Sequence, residues 1–321
     1  MLRRLSELYR QWTPADLDTL GVHLDTSAVR RLDKCLPAAI IEGCLEYDLS
    51  HHQPTADLWA IIPNDDSGPE LTRAFLDQTA GAVGAEAAGW REARRLMAAW
   101  ATPGLPVNRL FGNLFIEFDI QSQRALQPIV LAGLAASLQH DHHKAAVVAI
   151  EAYQLQMTAQ PMTQLARTEL NDCIDRLPKS AYIRHMALLS GRGKESIRLV
   201  ITLRAPAVAK TLSDLGWRGD IGAVQSLLNA HHKAAEMVGL QLDVGNIENG
   251  KVSIELPPTS LATWSESLGR FVEDGLCQAW QKSAIEKWLA GRSLSQYRAL
   301  MLKISFEPNT VKRLKAYLCF S

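Results

Sequence analysis

The chain has 321 residues, of which 47% are hydrophobic and 21% charged, and its 34 basic residues balance its 34 acidic ones. Such a composition supports a sizeable core, and the balance excludes a general nucleic-acid or anionic-membrane binder, which carries a basic excess. No stretch approaches the ~18 apolar residues of a membrane span, and Met1-Leu2-Arg3-Arg4-Leu5-Ser6-Glu7 has no apolar run behind it as a signal peptide would. The cysteines (Cys35, Cys44, Cys173, Cys277 and Cys319) are odd in number, scattered, and form no CxxC pair. They indicate neither a disulfide framework nor a zinc ribbon, and a reduced cytoplasmic setting is expected.

In chain order, Leu2, Leu5, Leu8 and Trp12 fall at helical spacing, and 27–33 reads as a second helix. From residue 43 the period becomes two, with Leu45, Tyr47 and Leu49 on one face and Cys44, Glu46 and Asp48 on the other. His51-His52-Gln53-Pro54 reads as a turn and 58–63 as the return strand. Helical patterns follow at 69–80 and 85–101. Strand 113–120 alternates most cleanly, with Leu114, Ile116, Phe118 and Ile120 set against Glu117 and Asp119. Its return is ambiguous, because Pro128 suits either the first position of a helix running to Leu138 or a return strand ending at Leu134. Helices at 142–157 and 162–175 lead to a hairpin at 183–204 about Gly191-Arg192-Gly193-Lys194. Helices at 207–215 and 221–238 precede a hairpin at 240–256, whose Asn249-Gly250 is a strong turn signal before strand 251–256. Helices at 261–277 and 279–290 then lead to a hairpin at 302–320 about Pro308-Asn309. Trp90, Trp100, Trp217, Trp264, Trp280 and Trp288 fall in helical patterns and read as core or inter-helix packing.

Five hairpins (43–63, 113–134, 183–204, 240–256 and 302–320) separated by helix pairs imply an α+β fold of repeated ααββ units with ten antiparallel strands, one domain over 1–321. A sheet that large curls or closes, since closure removes its edges; two separate antiparallel sheets are the alternative. One strand face is almost wholly apolar and suits a cover of helices. The other carries Glu46, Asp48, Glu117, Asp119, Arg198, Thr202, Arg204, Gln241, Asp243, Ser253, Glu255, Lys303, Ser305, Glu307, Lys315 and Tyr317. Buried charges cost several kcal/mol each, so this face is expected to meet water, as a wet chamber if the sheet closes.

Repeated ααββ units around an antiparallel barrel resemble the ABBA, or PT-barrel, aromatic and peptide prenyltransferases. Two local features carry the resemblance. Glu46, in Leu45-Glu46-Tyr47-Asp48-Leu49-Ser50, is similar to the first-strand Glu that orients the acceptor in fungal members. Lys315-Ala316-Tyr317, after Arg313-Leu314, is similar to the Lys-x-Tyr pairs that grip diphosphate. The resemblance implies transfer of an allylic prenyl group from a prenyl diphosphate to an aromatic small molecule or a peptide side chain. Arg198, Lys303, Lys315 and Tyr317 would cradle the diphosphate, with Arg184 or Arg204 in reserve. Glu46 would be catalytic, and Asp48, Glu117 and Asp119 would line the acceptor side. No cofactor is implied: the diphosphate is a co-substrate and magnesium is optional. The partners would be small-molecule or peptide substrates, with no nucleic acid and no membrane. Two departures stand out: Leu58-Trp59-Ala60-Ile61-Ile62 lacks the arginine fungal members place there, and the polar face is unusually acidic. Because the acids come from early hairpins and the cations from late ones, the charges are expected to segregate, an arrangement that favours a cationic acceptor.

Other motifs yield less. Asp141 in His140-Asp141-His142-His143 suits a helix N-cap, and no spacing supplies further metal ligands, so no metal site is expected. His51-His52 and His231-His232 read as a turn and a helix surface. Gly191-Arg192-Gly193-Lys194-Glu195-Ser196 lacks the first glycine of a phosphate loop, Asp65-Asp66 is no DDxxD, and no GxSxG is present. Two further readings stay open: a non-catalytic binding protein using the same barrel, and a hydrolase in which Glu46 and Glu117 approach one another with no cationic cluster nearby.

Overall fold

A computed structural model describes residues 20–21, 42–50, 55–63, 68–79, 88–118, 128–139, 144–189, 196–231, 236–257, 260–290, 300–308 and 310–320. All five hairpins form: β1 (Glu42–Asp48) with β2 (Thr55–Pro63), β3 (Phe111–Phe118) with β4 (Pro128–Leu134), β5 (Tyr182–Leu188) with β6 (Ile197–Arg204), β7 (Met237–Val244) with β8 (Val252–Leu256), and β9 (Leu300–Glu307) with β10 (Thr310–Phe320). Helices fill the gaps between them. After β2 come α1 (Gly68–Thr79), α2 (Ala88–Trp100) and the short α3 (Pro106–Leu110); after β4 come α4 (Ala136–Gln139), α5 (Lys144–Thr158) and α6 (Gln164–Asp175). α7 (Val208–Asp214) and α8 (Ile221–His231) follow β6, and α9 (Leu261–Glu273) and α10 (Ala279–Ala290) follow β8.

The strands pair antiparallel in chain order, and β10 returns to β1, with Leu45 opposite Leu318 and Glu46 opposite Tyr317. The ten strands thus form a closed barrel with no free edge. Its outer face is the apolar one. Leu45, Leu58, Ile116, Phe118, Leu199, Ile201, Ile254, Ile304 and Leu318 are buried beneath the helices in one continuous core, each such side chain contributing ~1.5–3 kcal/mol of transfer free energy. On α2, Trp90, Ala93, Leu96, Met97 and Trp100 repeat at helical spacing and form its buried stripe. Trp90 stacks on Phe75 of α1 and lies against Phe118 of β3, fixing this helix pair to the barrel.

Residues 128–134 form a strand, buried throughout, with Pro128 at its first position, where proline is tolerated in a sheet. Trp280 is 45% exposed, so it is not a core residue, and Trp217, though buried, lies in the loop after α7 and not in a helix. His231 is not a helix-surface residue: it is buried and stacked on Phe271 at 4.3 Å, and burial, then Arg270, pushes its imidazole down to about 4. The expected absence of disulfides is also corrected, since Cys44 is disulfide-bonded and the residue opposite it in the β1–β10 ladder is Cys319. Chain closure puts side by side two strands that the sequence holds far apart. The N-terminal helical pattern (apart from Leu20 and Gly21), His51-His52, His140–His143, His232 and Gly191–Glu195 lie outside the described residues.

Candidate active site in the barrel lumen

The ladder register carries the polar strand face into the lumen: Glu46 stands opposite Asp57 and Tyr317, Lys303 opposite Glu255 and Lys315, and Arg198 opposite Asp243. Most of these side chains are buried; Glu46 is 1% and Lys303 6% exposed. The charges, expected to need water, are met largely by one another: Glu46 by Lys303 and Lys315, Arg198 by Asp243, and Glu255 by Arg184.

Glu46 is the hub. Lys303 Nζ donates to Glu46 Oε1 at 3.2 Å and to the Tyr317 hydroxyl at 2.8 Å, and that hydroxyl donates to the same Glu46 oxygen at 2.8 Å. Lys315 Nζ lies 3.2 Å from both Glu46 Oε1 and Asp57 Oδ2. Burial works against the Lys315 ammonium, but Glu46, Asp57, Glu117 and Asp48 outweigh it and hold its pKa above the ordinary lysine value. Burial, then Glu46, Glu255 and Glu117, raises the pKa of the Tyr317 phenol and keeps it protonated. The carboxylates of Glu46, Asp57 and Glu117 lie within 4.8 Å of one another. The lysines stand among them, contrary to the hydrolase arrangement. The expected segregation of acids from cations also fails, because β10 runs between β1 and β9 and carries late cations onto early acids.

A second group lies on the opposite wall. Arg198 grips Asp243 through Nε at 2.8 Å and NH2 at 3.1 Å, a bidentate pair. Arg184 and Gln241 both donate to Glu255. Lys251, just before β8, shares the parity of Ser253 and Glu255 and makes no hydrogen bond or ion pair with a described residue. Burial, then the charges of Lys303, Arg198 and Lys315, lowers its pKa to about 7, against a smaller opposing effect of Glu46. Arg204 instead sits at the strand end, its side chain 66% exposed, with Glu236 at 3.8 Å, so it is no part of this cluster. Asp119 lies outside the described residues.

An aromatic wall joins the two groups. Tyr317 meets Trp59 edge-on at 5.2 Å, Trp59 meets Phe115 at 6.1 Å, and Phe115 meets His185 at 4.7 Å. Burial, then Arg184, holds the His185 imidazole well below its ordinary pKa, so the ring is neutral. Trp59 Nε1 is buried with no hydrogen-bond partner.

The structure therefore brings together Glu46, Lys303, Lys315, Tyr317 and Glu117, and sets Arg198 on the far wall. Lys251, Asp57, Trp59, Phe115 and His185 were not among the expected site residues. Lys251 was legible, two positions before Ser253 on an alternating strand. Asp57 was lost because the return strand was started at 58 instead of Thr55. His185 was hidden by a register shift between Ile183 and His185, which breaks the alternation.

No known protein family matches the chain by sequence, and neither does any curated protein. Solved structures do match over nearly its whole length. The ternary complex of the prenyltransferase PriB with L-tryptophan and dimethylallyl thiolodiphosphate shares 14% identity at TM-score 0.60, over 94% of this chain and 93% of that one. The 6-dimethylallyltryptophan synthase from Micromonospora olivasterospora, in complex with DMASPP and Trp, shares 10% at TM-score 0.65, over 98% and 96%. The 5-dimethylallyl tryptophan synthase from Streptomyces coelicolor, in the same type of complex, shares 11% at TM-score 0.60, over 99% and 95%. The chain has the PT-barrel fold of the ABBA-type prenyltransferases. At these identities the likeness is one of fold.

Proposed function

We propose that this protein transfers an allylic prenyl group from a prenyl diphosphate to an aromatic acceptor held in the lumen. Lys251 carries the proposal. It is a lumen cation without an ion-pair partner among the described residues, within electrostatic reach of Lys303, Arg198 and Lys315. An anion there gains an ammonium that no carboxylate holds, an attraction that strengthens in the low-dielectric lumen. Solved neighbours with this same fold are complexes with tryptophan and dimethylallyl thiolodiphosphate or DMASPP.

In this reading the allylic C–O bond breaks with its electron pair going to the diphosphate, where Lys251, Arg198, Lys303 and Lys315 receive the charge. Trp59, Phe115 and Tyr317 shield the allylic cation, whose charge suits aromatic faces. The acceptor carbon forms the new bond, and Glu46 takes the proton that the acceptor loses. Asp48 and Glu117 flank Glu46 on the acceptor side, and no metal is required by the cations present. The test is direct: incubate the protein with dimethylallyl diphosphate and tryptophan, then follow diphosphate release and a mass gain of one dimethylallyl group. Turnover lost in Glu46→Gln supports the assignment; diphosphate release without alkylated product counts against it.

One observation favours a second reading. Lys303, Lys315, Arg198 and Arg184 are already paired with Glu46, Asp57, Asp243 or Glu255, so a diphosphate competes with the protein's own carboxylates. A barrel that binds an acceptor and shows no affinity for diphosphate is a binding protein, not a transferase.

A further inference from the structure

Three lumen side chains on adjacent strands present buried atoms with no hydrogen-bond partner: Arg184 Nε, Thr202 Oγ1 and Gln241 Oε1. Thr202 and Gln241 are 7% and 3% exposed. The ladder sets Thr202 between Tyr182 and Gly239, and Gln241 opposite Val200, so the three belong to one patch of wall. Glu255 holds the patch in place, taking Arg184 on one carboxylate oxygen and Gln241 Nε2 on the other. Gly239 makes this possible, because a Cβ there would sit 2.6 Å from Glu255 Oε2.

These contacts fix which atoms face a ligand. With Nε2 tied to Glu255, the Gln241 amide must turn its oxygen the other way, so the acceptor character of that side is set by the protein. With a terminal nitrogen of Arg184 engaged, its Nε–H is left to donate. A buried donor or acceptor without a partner is costly, and three of them on one stretch of lumen wall are groups that a ligand can satisfy together. We propose that Arg184, Thr202 and Gln241 form a subsite for a neutral amide of the acceptor. The ligand's carbonyl accepts from Arg184 Nε–H and the Thr202 hydroxyl, and its N–H donates to Gln241 Oε1. The Arg184–Glu255 pair leaves the patch without net charge. Glu255 repels a carboxylate and Arg184 repels an ammonium, so the chemistry selects an amide, as in a peptide or an acylated amine.

The position is compatible with the donor. Arg198 and Thr202 lie four residues apart on β6, and Lys251, just before β8, four residues from Glu255, about 13 Å along each chain. The amide therefore docks away from Lys251 and Arg198 and on the side of Lys303, which stands opposite Glu255. That the amide belongs to a prenyl acceptor rests on the proposed function; its binding does not.

The experiment uses an isosteric pair, N-methyl indole-3-acetamide and methyl indole-3-acetate, titrated calorimetrically into the native protein, Gln241→Leu and Thr202→Val. The two ligands differ only in N–H against O. The native protein should bind the amide at least about tenfold more tightly. Gln241→Leu should bring the ratio close to one, while Thr202→Val, nearly isosteric and keeping the Glu255 contacts, should weaken both ligands about equally. Equal binding of the pair by the native protein, no binding of either, or a preference that survives in Gln241→Leu overturns the subsite. Dimethylallyl thiodiphosphate titrated in parallel separates the two claims. If it fails to bind while the amide preference holds, prenyl transfer falls and the subsite stands.

Discussion

Lys251 and Glu46 concentrate the chemistry at the residue scale. The pKa of Lys251 is depressed to about 7 by burial and by neighbouring cations, against about 10.4 in an unfolded chain. Between these values the unfolded state holds a proton that the folded state does not, so stability should rise as pH climbs through that window. Denaturant unfolding across that range should show the slope, and Lys251→Met should flatten it; an unchanged slope in the variant would place the titration elsewhere. Glu46 accepts from Tyr317 and Lys303 together, so Glu46→Gln should slow transfer by about 10²–10⁴-fold. Its donor affinity should stay level or rise, because the lysines lose a competing carboxylate. Lost donor affinity in single-turnover and binding measurements would contradict the acceptor-side role.

At the scale of elements, ion pairs sew neighbouring strands together across the lumen. Lys315 on β10 bridges Glu46 on β1 and Asp57 on β2. Removing one partner of a buried pair strands the others, at about 3–5 kcal/mol, so Lys315→Met should unfold at a clearly lower temperature and not merely lose ligand. An unchanged melting temperature would show that the carboxylates manage without it. Gly239→Ala should cost about 1–3 kcal/mol, as overpacking does, since the new methyl would lie 3.0 Å from Glu255 Cβ, an atom with little room to move. A thermal melt reads this directly, and full native stability would mean that Glu255 is not held over Gly239. The elements were largely legible in the sequence: period-two alternation found the five hairpins, and Asn249-Gly250 marked the turn between β7 and β8. β4 was ambiguous because a wholly buried strand alternates nothing and Pro128 opens helices as readily as strands.

At the scale of the molecule, closure is what the sequence could suggest but not detail. Glu46 and Lys303 are 257 positions apart and hydrogen-bonded, and the residue facing Cys44 is Cys319. No local pattern reports such pairs, so the charges read as segregated by hairpin while the barrel interleaves them. Cys44→Ser should lower stability by about 2–4 kcal/mol under non-reducing conditions and make the melting temperature insensitive to reductant. A variant as stable as the native protein would show the disulfide to be idle. The central claim is that this closed, charge-compensated lumen keeps an unpaired cation for a prenyl diphosphate. Calorimetric titration of dimethylallyl thiodiphosphate into native protein and Lys251→Met, below and above neutral pH, tests it most directly. Micromolar binding is expected, weakening as pH rises past about 7, the pKa of Lys251, and at least about tenfold weaker in the variant, the worth of a charge-assisted contact. Binding that is identical in the two proteins, or absent from both, would contradict it.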